Sequence, residues 1–123
     1  MHVLDFRIAS SRLDATAVVA VAGELDMHTA ERLAQTLREV DADNANSIVV
    51  DLFEVPFVDS AGLGVLASAA KSTKALGGTF VLAADDPRFL RTLRITGLDR
   101  LFDVQPTLTQ AIHHVVDGPA RKD

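Results

Sequence analysis

The segment Ser47 to Leu52 is almost wholly apolar, with no alternation of apolar and polar residues. A strand of that pattern is covered on both faces, so it belongs at the centre of a sheet with helices on either side. A second such run, Thr79 to Ala84, follows it, and a third, Ala15 to Ala22, precedes it. Helical spacing separates the runs. Ala30, Leu33, Ala34, Leu37 and Val40 form one stripe over His28 to Val40, and Leu63, Leu66, Ala67 and Ala70 form another over Ser60 to Ala75. Strand, helix, strand at this length implies right-handed crossovers and parallel pairing.

Val3, Leu4, Phe6 and Ile8 suggest a first strand, Ser10 to Asp14 a polar connection, and the short separation from the next strand a hairpin. Asp26, His28 and Thr29 all stand near the start of the first helix, and the sequence leaves open which of them caps it. Asp41 to Asn46 is a polar loop, and Pro56 stops the central strand. Gly77-Gly78 ends the second helix. Asp85-Asp86-Pro87 opens a third, with Phe89, Leu90 and Leu93 inward and Gly97 at its end. Leu101 to Val104 reads as a short edge strand. Thr107 to Gln110 reads as a capping box before a last helix through Ala111, Ile112, Val115 and Val116. The order β-β-α-β-α-β-α-β-α gives one α/β domain, 1–118, with a small mixed sheet and helices packed against it. Residues 119–123 are expected to fray as a tail.

Composition narrows the function. A net charge of −5 argues against a partner read through a phosphate backbone, so no nucleic acid is expected. The absence of cysteine excludes disulfides, thiolate catalysis and Cys-based zinc sites. With no signal peptide at Met1 to Arg7 and no run approaching the ~20 residues of a membrane span, a soluble cytoplasmic protein is expected, with no membrane association.

The stretch Phe57-Val58-Asp59-Ser60-Ala61-Gly62-Leu63-Gly64 holds the chemistry. Asp59 and Ser60 lie where a loop leaving a buried strand becomes a helix, and either side chain can cap. Gly62 and Gly64 occupy early helical positions at about 1 kcal/mol each against Ala. That cost points to a tight turn, close packing, or close approach by a partner or by the preceding loop. A valine at Gly62 is therefore expected to disturb partner binding more than folding. The stretch is read either as a capped helix or as a place where an anion, or a phosphate on Ser60, meets the positive end of the helix dipole.

Other chemistries fail on the residues. Val58 stands where a nucleophile elbow needs glycine. His113 and His114 are adjacent, face different directions on a helix and read as a solvated surface pair. No zincin, P-loop or dinucleotide fingerprint is present, and Asp85-Asp86 reads as a helix cap rather than a metal site. No cofactor, metal or catalytic residue is expected.

Taken together, Gly23-Glu24-Leu25-Asp26-Met27-His28-Thr29-Ala30, the Val50 to Leu66 stretch, Gly77-Gly78, and Thr96-Gly97-Leu98 before Leu101-Phe102 resemble the STAS domains, particularly the anti-sigma factor antagonists. The resemblance spans nearly the whole chain in order. It implies that Ser60 is phosphorylated by a partner that is both serine kinase and anti-sigma factor. It also implies that the unphosphorylated chain binds this partner and so frees a sigma factor, and that a metal-dependent serine phosphatase resets the switch. The implied partner surface is Asp26, His28, Thr29, Asp59, Ser60, Ala61, Gly62 and Leu63. Ala61 stands where many members carry a second serine, so Ser60 is the motif's only hydroxyl. The alternatives are a STAS module of another signalling or transport assembly and a small Ser60-dependent hydrolase or nucleotide-binding enzyme. The oligomeric state is read as monomer or weak dimer.

Overall fold

The computed structural model describes residues 6–116. Its elements are β1 (Arg7–Leu13), β2 (Thr16–Ala22), α1 (Ala30–Ala42), β3 (Ser47–Glu54), α2 (Ser60–Ala75), β4 (Phe80–Ala83), α3 (Pro87–Thr96), a single 3-10 turn (Leu98–Arg100), β5 (Asp103–Gln105) and α4 (Leu108–Val116). The strands form one sheet in the order β1-β2-β3-β4-β5. β1 pairs antiparallel with β2, and the remaining pairs are parallel.

The unbroken apolar pattern of β3 has the expected cause. Ile48, Val50 and Leu52 face a core completed by Leu33 and Leu37 of α1, Leu63 and Leu66 of α2, and Leu93 of α3. Val49 points the other way, to a smaller cluster with Val81, Ala83 and Ala111 of α4. Three helices therefore cover one face of the sheet and one covers the other.

Several boundaries differ from the expectations. Ser10 to Leu13 is strand, not connection: β1 runs to Leu13, and only Asp14-Ala15 turn, with Asp14 at φ 54°. This is an exposed edge strand, where serine and arginine keep their hydration while the backbone pairs Ser10 with Val19 and Ser11 with Val18. Val3 and Leu4 of that expected strand, and the expected tail at 119–123, lie outside the described residues. α1 starts and ends two residues later than expected, so Asp41 belongs to its last turn. β5 lies one to two residues beyond the expected edge strand.

The helix-end readings hold. Asp86 accepts from the Arg88 N–H at 2.9 Å, Pro87 takes the first position of α3, and Gly97 takes its C-cap. Thr107 Oγ1 accepts from the Gln110 N–H at 3.0 Å before α4. A side chain at Gly78 is impossible, because its Cβ would lie 1.7 Å from the Asn46 carbonyl oxygen. His113 is exposed, whereas His114 is half-buried with Nε2 3.8 Å from Asp103 Oδ2, so the two histidines are not an evenly solvated pair.

Candidate functional site

Past the ends of β2 and β3 the two segments stay paired, after a shift of register between Ala20 and Ala22. Gly23 N–H donates to the Glu54 carbonyl at 3.0 Å, Leu25 N–H to the Phe57 carbonyl at 2.9 Å, and Asp59 N–H to the Leu25 carbonyl at 3.0 Å. An isolated parallel bridge joins Leu25 and Val58. The backbone therefore sets the loop after β2 directly beside the start of α2.

Asp59 is the cap of α2. Its backbone is extended, at φ −96° and ψ −174°, and its Oδ1 accepts from the Gly62 N–H at 3.0 Å. Its Oδ2 accepts from the Met27 N–H at 3.1 Å, across 32 residues of sequence. One carboxylate thus satisfies an orphan donor of the helix and pins the neighbouring loop. With Asp59 in that role, Ser60 is the first helical residue and is exposed, its hydroxyl not needed for capping.

The loop from Glu24 to Thr29 is held by its own side chains. Asp26 Oδ1 accepts from the N–H groups of His28 at 2.9 Å and Thr29 at 3.2 Å. Thr29 Oγ1 donates to the Glu24 carbonyl at 2.8 Å and accepts from the Asp26 N–H at 2.9 Å. The His28 N–H, followed by the Thr29 bonds, holds the Asp26 carboxyl below its ordinary value of 3.8 despite some desolvation. Thr29 occupies the cap position of α1 without a side-chain cap bond, so the Asp26 turn, rather than a cap, organises this helix start.

Gly62 and Leu63 are buried. A Cβ on Gly62 would lie 2.8 Å from both Leu25 Cγ and the Leu25 carbonyl oxygen, and 3.0 Å from Val58 Cγ1. The close approach inferred from the sequence is made by the chain's own preceding loop. A side chain here therefore acts on folding first, which reverses the expectation that partner binding would suffer more. Gly64 is different: it is exposed, and a Cβ there meets nothing within 4 Å.

Of the residues singled out in the sequence, Asp26, His28, Thr29, Asp59, Ser60 and Ala61 are exposed or half-buried and come together, with Gly62 and Leu63 beneath them. Sequence reasoning missed the apolar side chains beside them: Met27 is 72% and Phe57 52% exposed. The available signal was a large apolar residue inside a turn segment, next to Asp26 in one case and Pro56 in the other. Next to Phe57 opens a cleft of about 440 Å³ between the segment after β3 and the segment after β4, lined by Phe53, Pro56, Asp85 and Phe89 among others. Among the described residues, no group of three or more His, Cys, Asp or Glu is placed to hold a metal ion, and no helix is long and apolar enough to cross a membrane.

The comparisons with known proteins agree on one family. The family model described as the STAS domain matches residues 7–111. The anti-sigma-F factor antagonist RsfB of Mycobacterium tuberculosis is 35% identical over 104 residues, 83% of this chain and 83% of that protein. The anti-sigma-B factor antagonist of Listeria monocytogenes is 33% identical over 87 residues, covering 71% and 76%. The crystal structure of an anti-sigma factor antagonist from Mycobacterium paratuberculosis superposes with a TM-score of 0.81 at 35% identity, covering 92% of this chain and 96% of that one. Matched along its sheet, its helices and the start of α2 alike, the chain belongs to the STAS domain family.

Proposed function

We propose that this protein is an anti-sigma factor antagonist that works by partner switching, without catalysis of its own. Unphosphorylated, it binds an anti-sigma factor that is also a serine kinase. Phosphorylated on Ser60, it lets that partner go, and a metal-dependent serine phosphatase restores it. The setting is the cytoplasm. The observation that carries the reading is the division of labour at the start of α2: Asp59 caps the helix, and the neighbouring hydroxyl of Ser60 is left exposed.

That division makes a switch physically simple. A phosphate adds a charge of about −1.5 to −2 at a helix N-terminus, which the dipole tolerates, so the fold survives. The same charge buried at an interface and left unpaired is costly, more so beside the Asp59 carboxylate. The contact surface consists of Asp26, His28, Thr29, Asp59, Ser60 and Ala61, supported from below by Gly62 and Leu63.

Ser60→Ala, used as bait in the native cell, should recover an anti-sigma factor kinase identifiable by mass spectrometry. With that kinase purified, Ser60→Ala should bind as tightly as the wild-type chain. Ser60→Asp and the enzymatically phosphorylated protein should bind on the order of a hundredfold more weakly, about 2.7 kcal/mol, with the phosphorylated form the weaker. Equal affinity of the unmodified and phosphorylated proteins, both folded, would remove charge at Ser60 as the switch.

A further inference from the structure

Three of the large apolar side chains that remain exposed among the described residues, Met27, Phe53 and Phe57, share one end of the sheet. They do so because β2, β3 and β4 are parallel, so the segments leaving them emerge together. Scattered exposed apolar residues need no explanation, but a group beside a site does. Met27 and Phe57 are also anchored through their backbones, Met27 by its N–H to Asp59 and Phe57 by its carbonyl to Leu25. The loops are fixed while the side chains point outward, so ordering them on binding adds little entropic cost.

The surrounding charge says what kind of surface meets them. The same end carries Glu24, Glu54 and Asp85, all exposed, with Asp26, Asp59 and Asp86 half-buried. The cations there are largely engaged. Arg88 lies 3.3 Å from Asp86, and the Arg32 guanidinium sits 5.0 Å over the Phe6 ring. Arg7 pairs with Ala22 and so stands at this same end on the outer edge of the sheet, but with Arg32 and Arg88 it is outnumbered by the six carboxylates. The remaining cations of α2 and α3, Lys71, Lys74, Arg91 and Arg94, lie further along their helices.

We propose that Met27 and Phe57 are the apolar anchors of the partner interface, and that they enter sockets on a basic face of the kinase that docks at Ser60. This rests on the partner reading given above and specifies its chemistry. The acidic rim steers the encounter with the basic face and sets the association rate, while the two anchors, desolvated on docking, set the dissociation rate. Ser60 follows directly on Asp59, whose carboxylate holds the Met27 N–H, so the hydroxyl stands beside the anchored loop. A kinase must bring the γ-phosphate of ATP to that hydroxyl, so a phosphate on Ser60 faces the anionic nucleotide rather than the basic rim. Attraction at the rim and repulsion at the centre are therefore compatible.

The test uses the purified kinase as probe and the full chain, with each variant's fold verified by its thermal transition. Met27→Ser and Phe57→Ser, both at exposed positions, should each raise the dissociation rate about tenfold, and the double variant about a hundredfold. Ile95→Ser, at a site equally exposed (73%) on α3, should change nothing. Glu24→Gln with Glu54→Gln should slow association several-fold and flatten its dependence on salt, leaving dissociation unchanged. Unaltered dissociation of the Met27→Ser/Phe57→Ser variant from a kinase that binds the wild-type chain overturns the anchors alone. Association that does not slow as salt is raised overturns the basic face. A wild-type chain that binds no anti-sigma factor kinase overturns the partner reading and this surface together.

Discussion

Helices α2 and α3 begin at the same end of the sheet, each after a parallel strand and each capped by an aspartate, yet they present different chemistry. At α3, Asp86 is satisfied close to home. It accepts from the Arg88 N–H at 2.9 Å and faces the Arg88 guanidinium at 3.3 Å. Proline holds the first helical position and Phe89 the third. At α2, Asp59 divides its oxygens between its own helix and a loop 32 residues away, serine holds the first position, and glycine the third. Capping is thus the common structural part. What distinguishes α2 is the hydroxyl placed at the first position and the neighbouring loop tied to the cap.

The largest effect expected from this contrast is at the third position. At α3 that position holds a half-buried phenylalanine. At Gly62 any Cβ meets the Leu25 carbonyl at 2.8 Å, and this oxygen is itself held by the Asp59 N–H. A tied backbone oxygen flanked by the Leu25 and Val58 side chains leaves little room to relax, so Gly62→Val should cost about 3 kcal/mol, at the upper end of overpacking penalties. It should lower the thermal midpoint by about 10 °C. A Gly62→Val protein with a wild-type midpoint would show that the Leu25 loop moves freely, and the two helix starts would then be more alike than they look.

Next is the cap. Asp59→Ala removes two bonds and leaves the Met27 and Gly62 N–H groups without their acceptor, for about 2 kcal/mol. Asp59→Asn retains one acceptor oxygen and should recover about half of that. Asp86→Ala disturbs a cap satisfied within its own first turn and should cost less. Hydrogen exchange separates the two cases. Asp59→Ala should speed exchange at Met27 and through the loop to Thr29, whereas Asp86→Ala should speed exchange only in the first turn of α3. Protection of the Met27 amide that survives Asp59→Ala would refute the tie between the segments.

The same contrast explains what could be read from the chain. The order of strands and helices was legible because the buried runs around Val50 and Leu82 are apolar without alternation and the helices between them carry clean stripes. β1 was truncated because Ser10, Ser11 and Arg12 have no strand-like pattern of their own, and their strand conformation comes from pairing with β2. At the site, local chemistry was readable: an aspartate before a helix, a serine after it, a glycine where no glycine is favoured. The bond from the Met27 N–H to Asp59 was not, because it depends on the register of β2 against β3 and on the pairing of Leu25 with Val58 beyond the strands. For the same reason Gly62 was legible as a close approach while its neighbour was not. For Met27 and Phe57 the sequence offers only a large apolar residue inside a turn segment; that both stay exposed depends on where the paired loops place them.

The smallest expected effect compares Asp86 with Asp26, the turn-forming carboxylate before α1. Both are held below the ordinary carboxyl value of 3.8, Asp86 by the Arg88 N–H and then the Arg88 side chain, Asp26 by the His28 N–H and then the Thr29 bonds. A carboxyl with a lowered value in the folded chain binds fewer protons there than in the unfolded chain. Its contribution to stability is therefore fully present above 3.8 and disappears as the pH falls through the lowered value. The window lies below pH 3.8. Urea midpoints measured from pH 7 to pH 2.5 should stay level with respect to these two groups down to about pH 4 and then decline. Asp86→Asn and Asp26→Asn should each make that acid limb shallower, the double variant more so, because an amide has no proton to take up. Both carboxylates are close to solvent, so each change should be small next to those at Gly62 and Asp59. The Asp86 share should shrink further in 0.5 M salt, where its attraction to the Arg88 guanidinium is screened while the N–H bond at 2.9 Å is not. An acid limb of unchanged slope in the double variant would mean that these turn bonds do not discriminate between the protonated and ionised carboxyls.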